Sequence, residues 1–362
     1  MQGVEYWLWL ANALGPCASN SARVLRAFPA PEKLALALGQ QELNELFTPA
    51  QMRALKSTRP QELLSRMERC RQLGVQIVTW ADPDYPPLLR QIDSPPPVLY
   101  YRGDLSAASA PLVLGMIGPR RPSAYGVEAM QFLAQGLAGF GAVLVSGMAE
   151  GLDGEAHRAC LRKEMPTIAC LGFGHQHCYP AQNHMLKKMI EKCGLTLSEY
   201  PPDKEPCKAF FPQRNRLIAG LSRGVCVVEA RENSATSNTV SHALRYNRDV
   251  FSVPGSIFSP LSAGTNRLLT EGAVPVTCAK DIFRFYGLES AEEEKPAPAE
   301  EPELSPDARK IRRLLSSRPQ TLASLCEKAG LEPLRAMAAF TELEIKGVAQ
   351  QLAGRQFILK GS

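Results

Sequence analysis

No run in this 362-residue sequence approaches the ~20 consecutive apolar residues that a bilayer-spanning helix needs. The opening stretch MQGVEYWLWLANALGP is apolar but carries Glu5 and no basic lead-in, so it does not read as a secretory signal. Of the ten cysteines none forms a C-x-x-C pair; scattered through apolar segments, they read as reduced, buried thiols. Neither G-x-G-x-x-G nor G-x-x-x-x-G-K-[ST] occurs, which speaks against a dinucleotide or a Walker-type triphosphate site. His175, His177, Cys178 and His184 lie close in sequence but at no zinc spacing, so neither metal nor cofactor is expected. Together these absences predict a cytoplasmic protein with no membrane association.

What is present is an ordinary globular composition, 45% hydrophobic and 21% charged, in a chain long enough for two or three units. The net charge of +5 conceals an asymmetry. Residues 289–304, ESAEEEKPAPAEEPEL, carry seven Glu and one Lys, a local −6 that leaves +11 on the remainder. Such a stretch has too little apolar surface to bury and reads as a linker. A body that basic points to an anionic partner, of which nucleic acid is the commonest.

Composition divides the chain into a helical segment at 1–68, a central body at 69–288, the acidic linker at 289–304 and a C-terminal unit at 305–362. Helical periodicity runs through Trp7, Leu8, Leu10 and Leu14 and resumes at Val24, Leu25 and Phe28. The prolines of YPPLLRQIDSPPPVLYYRG (85–103) impose an extended path. From residue 112, the runs LVLGMI, AVLVS, TIACLG, LTLSE, GVCVVEA, DVFSV and AVPVT alternate with amphipathic stretches. Apolar runs of that length separated by helices predict an α/β fold with a doubly wound, mainly parallel sheet. In the C-terminal unit three helices precede a hairpin, with Gly330 as a stop signal and Pro333 opening the third helix. That pattern is a winged helix, a module that binds DNA or protein, and the sequence does not choose between them.

Four unusual loops fall at the carboxyl ends of the predicted strands, where open parallel sheets bind ligands. They are GPRRPS (118–123), SGMAEGLDGEAH (146–157), FPQRNR (211–216) and EARENSATSNT (229–239). Gly118 and Gly147 permit close backbone approach, and Ser146 and Ser234 offer hydroxyls. Arg120, Arg214 and Arg216 carry forked donors suited to phosphate. Of the two aromatic rings before the arginines, Phe210 is assigned to the core and Phe211 to the site, as a platform for an unstacked base. Asp153 and His157, four apart, orient the start of their own helix.

At these residues the chain resembles the DNA-processing protein A family, also called DprA or Smf. The resemblance spans roughly 85–277 and rests on YPPLLRQIDSPPPVLYYRG, SGMAEGLDGEAH, the Y-P-x-x-N of Tyr179 to Asn183, SEYPP, FPQRNRLIAGLS, VVEA, VPGS and the G-T-N beginning at Gly264. It implies a Rossmann-like domain flanked by an N-terminal SAM-like helical domain and a C-terminal winged helix. It further implies binding of single-stranded DNA without catalysis, protection of incoming strands in natural transformation, loading of the RecA recombinase, and a homodimer. By motif position Lys208 corresponds to a phosphate-contacting lysine, Phe211 to the base-stacking aromatic, and Arg120 to an arginine at the first strand's end. Arg214, Asn215 and Arg216 correspond to the core that shapes the pocket. The chain departs from the family pattern at Pro119, at Glu150, where a basic residue is usual, and at Ala235.

Two other readings compete. In a nucleoside monophosphate hydrolase of related fold, Glu229 would be the catalytic carboxylate, but the P-G-G-x-G-T-x-x-E run of such enzymes is missing. In an adaptor, the winged helix and the N-terminal helices would dock partners.

Overall fold

The computed structural model describes residues 3–38, 41–232, 234–288, 304–316, 320–346, 348–352 and 356–359. The acidic linker expected at 289–304 lies, but for Leu304, outside the described residues. The chain forms two units, Met1–Glu289 and Ser290–Ser362.

The first unit begins with five helices: α1 (Val4–Leu14), α2 (Ser21–Ala27), α3 (Pro31–Leu36), α4 (Pro49–Ser57) and α5 (Leu64–Gln72). They close on a core of Trp7, Leu8, Trp9, Leu10, Val24 and Leu25, which Val98 and Tyr100 of the sheet complete. The indole N–H of Trp9 donates to the carbonyls of Leu55 (3.1 Å) and Thr58 (2.8 Å), which fixes the end of α4 against α1. Thr48 and Gln51 cap α4 reciprocally.

The nine-stranded sheet contains β1 (Gln76–Thr79), β2 (Val98–Gly103), β3 (Val113–Ile117), β4 (Val143–Ser146), β5 (Thr167–Leu171), β6 (Leu195–Ser198), β7 (Gly224–Val227), β8 (Asp249–Ser252) and β9 (Val274–Pro275). Their spatial order is β1-β2-β6-β5-β4-β3-β7-β8-β9. From β6 to β9 every neighbouring pair is parallel; β2 joins β6 and β1 joins β2 antiparallel. The seven apolar runs read from the sequence are the seven parallel strands. β1 and β2 are the additions, the latter emerging directly from the prolines at 95–97.

Strand residues alternate between two cores. Val113, Ile117, Val143, Val145, Val225 and Val227 face one side, with Leu217 and Ile218. Leu114, Met116, Leu144 and Cys226 face the other, with Met130, Leu133 and Ala156. Each large aliphatic side chain removed from water contributes about 1.5–3 kcal/mol, so a sheet covered on both faces tolerates four-residue strands. The helices concerned are α7 (Ala124–Ala138), α8 (Leu152–Arg162), α9 (His184–Cys193), α10 (Phe210–Leu221), α11 (Thr236–Arg245), α12 (Ala263–Thr270) and α13 (Ala279–Tyr286); the one-turn α6 (Pro87–Arg90) precedes them. Strand order proceeds outward from β3 to β6 and then restarts at β7 on the opposite flank of β3. This makes the β3/β7 junction the switch point, beside which the loops after β3, β4 and β5 gather.

The second unit packs α14 (Pro306–Leu314), α15 (Leu322–Ala329) and α16 (Pro333–Ile345) with β10 (Gln320–Thr321), β11 (Ala349–Leu352) and β12 (Gln356–Leu359) in the order β10-β12-β11. Ala308, Ile311, Leu325, Phe340, Leu343 and Phe357 form its core, with the rings of Phe340 and Phe357 stacked at 4.0 Å. Gly330 takes the left-handed conformation that ends α15 (φ 63°), and Pro333 opens α16, as expected.

Candidate nucleic-acid interface

Three loops and the start of α10 build a notch at the carboxyl ends of β3, β4 and β5. After β3 the chain runs Gly118–Pro119–Arg120. A methyl group on Gly118 would stand 2.4 Å from Leu152 Cδ1, so glycine lets this loop lie on the start of α8. The Leu152 amide donates to the Pro119 carbonyl at 3.2 Å, and Arg120 is left exposed at the rim.

After β4, Ser146 turns inward and donates to the Met116 carbonyl (2.7 Å). The Gly147 amide donates to Asp153 Oδ2 at 3.2 Å. A Cβ on Gly147 would come within 2.5 Å of the Arg214 guanidinium and 2.6 Å of Asp153, so only glycine fits. Met148 follows in the left-handed region at φ 54°, unusual for its type, and Asn183 Nδ2 holds its carbonyl at 3.0 Å. Asp153 thus secures the loop before its own helix, whereas His157, read with it as orienting that helix, bonds Thr167 on β5 instead. Burial pushes its carboxyl upward, against the pull of Arg214.

The α10 helix starts at Phe210, one residue before FPQRNR. Pro212 sits in its first turn, where the missing N–H would have had no helical partner. Phe211 packs partly buried against the core around Phe173 and Leu186, with the Tyr179 ring 5.1 Å away. Arg214, 4% exposed, donates through Nη1 to the carbonyls of Gly147 (2.5 Å) and Cys170, and through Nε to Asn215 Oδ1 (3.2 Å). Its guanidinium forms the floor of the notch. Burial pulls its pKa down, opposed by Asp153.

The resulting notch, about 40 Å³, brings together Arg120, Gly147, Phe211 and Arg214 of the predicted residues, and adds Glu150 and Tyr179 to its lining. Gly118 and Asn215 support it from behind. Lys208 is exposed on the loop leading to α10 and forms no ion pair among the described residues. Three expectations require correction. Arg216 lies two residues, or about 200°, around the helix from Arg214. There Nη2 donates to Glu199 and Nε to Cys17 Sγ (2.9 Å), Nη1 is buried without a partner among the described residues, and at 2% exposure the side chain offers phosphate nothing. The Ser146 hydroxyl is fully buried on Met116, and that of Ser234 bonds to Thr236 away from the notch. Phe210, assigned to the core, is only half-buried and stacks on Tyr200 at 4.5 Å.

Tyr179 was missed as a site residue, although an aromatic beside a proline just after a buried strand was a usable signal. Glu229 does not stand free for catalysis. Its two oxygens accept from the Ser123 amide (3.0 Å) and hydroxyl (2.5 Å), tying β7 to the start of α7. The four residues at 175–184 do not converge. His175 and His177 each bond a backbone carbonyl, and Lys187 Nζ donates to the carbonyls of both. No group of three metal-ligating side chains occurs among the described residues. Among them also, no helix is long and apolar enough to cross a membrane.

Residues 76–287, which hold the whole notch, match the family model of DNA recombination-mediator protein A. The chain belongs to this family. Residues 295–355 match the DprA winged helix domain. DNA processing protein DprA of Bacillus subtilis is 39% identical over 213 residues, 59% of this chain and 72% of the relative. The X-ray structure of DNA processing protein A from Streptococcus pneumoniae superposes with a TM-score of 0.68 at 33% identity, covering 78% of this chain and 98% of that one. DNA processing protein A from Helicobacter pylori, whose structure was described for its single-stranded DNA binding mode, gives 0.54 at 32% identity over 59% of this chain and 95% of that one.

Glu150 puts a carboxylate on the lining of the notch together with Arg120 and Arg214. Glu150→Lys changes the local charge by two units on an exposed side chain. It is expected to raise single-strand affinity roughly tenfold at low salt and to steepen the salt dependence. Unchanged affinity at low ionic strength would show that no phosphate passes Glu150.

Proposed function

We propose that this protein is a non-enzymatic, cytoplasmic single-stranded DNA binder of the natural-transformation type, which protects strands and delivers them to RecA as a homodimer. One observation carries the reading: Phe211 and exposed Arg120 flank a notch floored by Arg214, and exposed Lys208 stands three residues before Phe211 in the chain. An aromatic face accepts a base of any identity, and the cations neutralise the backbone. Such a surface needs unstacked bases, which duplex DNA does not offer. The engagement of Glu229 and Asp153 by backbone and side-chain donors supports binding rather than hydrolysis.

Fluorescence anisotropy with a labelled oligothymidine and its duplex form, across a salt series, tests this. The expected result is salt-sensitive preference for the single strand. Lys208→Ala should lower the slope of log K against log[salt] by about 0.7, and Phe211→Ala should weaken binding roughly 5- to 150-fold. Equal affinity for duplex, or indifference to both substitutions, would overturn the proposal. Dimerisation is checked by sedimentation velocity. Delivery is checked by whether the protein shortens the lag of RecA ATPase on strands already coated with single-strand binding protein.

A further inference from the structure

Phe210 and Phe211 are consecutive in the first turn of α10, so their side chains point about 100° apart. Phe211 lines the notch, whereas Phe210 lines a separate and larger cleft of about 430 Å³, within the ~300–1,000 Å³ typical of ligand clefts. The N-terminal helices form one wall of that cleft through Arg66 of α5, and the loop after β6 forms the other. Tyr200 on this loop stacks with Phe210 at 4.5 Å, and the Lys204 ammonium lies 5.5 Å from the centre of the Phe210 ring. Lys204 is exposed, on a side chain long enough to exchange the ring for a phosphate. Glu199 also reaches the cleft. Its Oε1 is taken by Arg216, and its Oε2 and Arg216 Nη1 are both buried without a hydrogen-bond partner among the described residues, so this ion pair forms the closed back of the cleft; the exposed carboxylate on the lining is Asp203.

Aromatic surface and two cations beside the first notch, with the exposed Asp203 carboxylate on the same lining as an acceptor, match the next unit of a polynucleotide. We propose that the cleft is a second single-strand subsite, which extends the track beyond Phe211. The Phe210–Tyr200 pair stacks a base, Lys204 and Arg66 meet the backbone, and the Asp203 carboxylate accepts a base N–H. This rests on the reading that the Phe211 notch takes single-stranded DNA.

The test is anisotropy on the full chain with oligothymidines of roughly 4, 8 and 16 nucleotides, spanning the site sizes of single-strand binders. Wild type is compared with Phe210→Ala, Lys204→Ala and Phe211→Ala. The inference expects Phe210→Ala to lose roughly 5- to 150-fold on the longer strands and nothing on the shortest. Lys204→Ala, at an exposed position that leaves folding intact, should lower the salt slope by about 0.7 on the longer strands alone. If both variants match wild type at every length while Phe211→Ala still weakens binding, the second subsite is refuted and the first stands. Equal loss at all lengths in Phe210→Ala, with Lys204→Ala silent, also refutes it, because Phe210 would then act only through α10. No binding by wild type, or no effect of Phe211→Ala, sinks the underlying reading instead.

Discussion

Replacing Arg216 by alanine is expected to destabilise the Met1–Glu289 unit by about 3–5 kcal/mol. The guanidinium is 2% exposed and pairs with Glu199, itself largely enclosed. Burial alone pushes the Glu199 carboxyl up, and Arg216 is what opposes it. Truncation would leave that carboxylate buried without a counter-charge and would remove the donor to Cys17 Sγ. Urea unfolding followed by tryptophan fluorescence isolates the effect, because the three tryptophans, Trp7, Trp9 and Trp80, all lie in this unit. The double variant Arg216→Met, Glu199→Leu should recover most of the loss, since apolar groups of similar volume need no partner. A loss below about 1 kcal/mol in the single variant would mean the pair is hydrated and weak. DNA binding by Arg216→Ala should fall only as far as the folded fraction falls, unlike that of Lys208→Ala.

Acidification is expected to weaken the same unit well above the range where carboxylates titrate. His157 Nδ1 donates to Thr167 Oγ1 (2.8 Å) on β5, whose own hydrogen goes to the Leu144 carbonyl, and His175 Nε2 donates to the Thr196 carbonyl (3.3 Å) on β6. Burial lowers both pKa values to about 3, helped by Arg214 and Arg158 around His157 and by Lys187 and Arg102 around His175. In the unfolded chain each imidazole titrates near 6.5. The folded state therefore binds the proton less readily. Its stability is complete above about pH 6.5 and is lost as pH falls toward 3, by roughly 2 kcal/mol per histidine at pH 5. Urea midpoints at pH 7.5, 6 and 5 should fall in that order, and His157→Gln should flatten part of the decline. A midpoint unchanged between pH 7.5 and 5 would contradict neutral burial of both rings. The pocket loops spring from the strands these histidines brace, so DNA binding in acid should fail together with the fold.

The parallel sheet was legible because strands covered on both faces are short apolar runs, and Val113–Ile117 or Gly224–Val227 announce themselves as such. β1 and β2 were not, because an edge pair whose second strand follows three prolines carries no comparable run. In the notch, residue types were legible and directions were not. Glycine at 118 and 147 followed from the need for close approach, and contact with Leu152, Arg214 and Asp153 supplies the reason. Arg214 and Arg216 look equivalent on paper, but their roles depend on where α10 begins. With Phe210 as its first residue, one guanidinium floors the notch and the other sinks behind the helix. The hydroxyl of Ser146 was likewise misread, since strand pleating aims it at Met116.

Cys17, from the turn after α1, closes over a cation that α10 presents, so segments almost two hundred positions apart share one half-buried contact. A chimera that borrowed the first 75 residues from a relative lacking this thiol would leave Arg216 Nε without its acceptor, so the two segments have to be exchanged together.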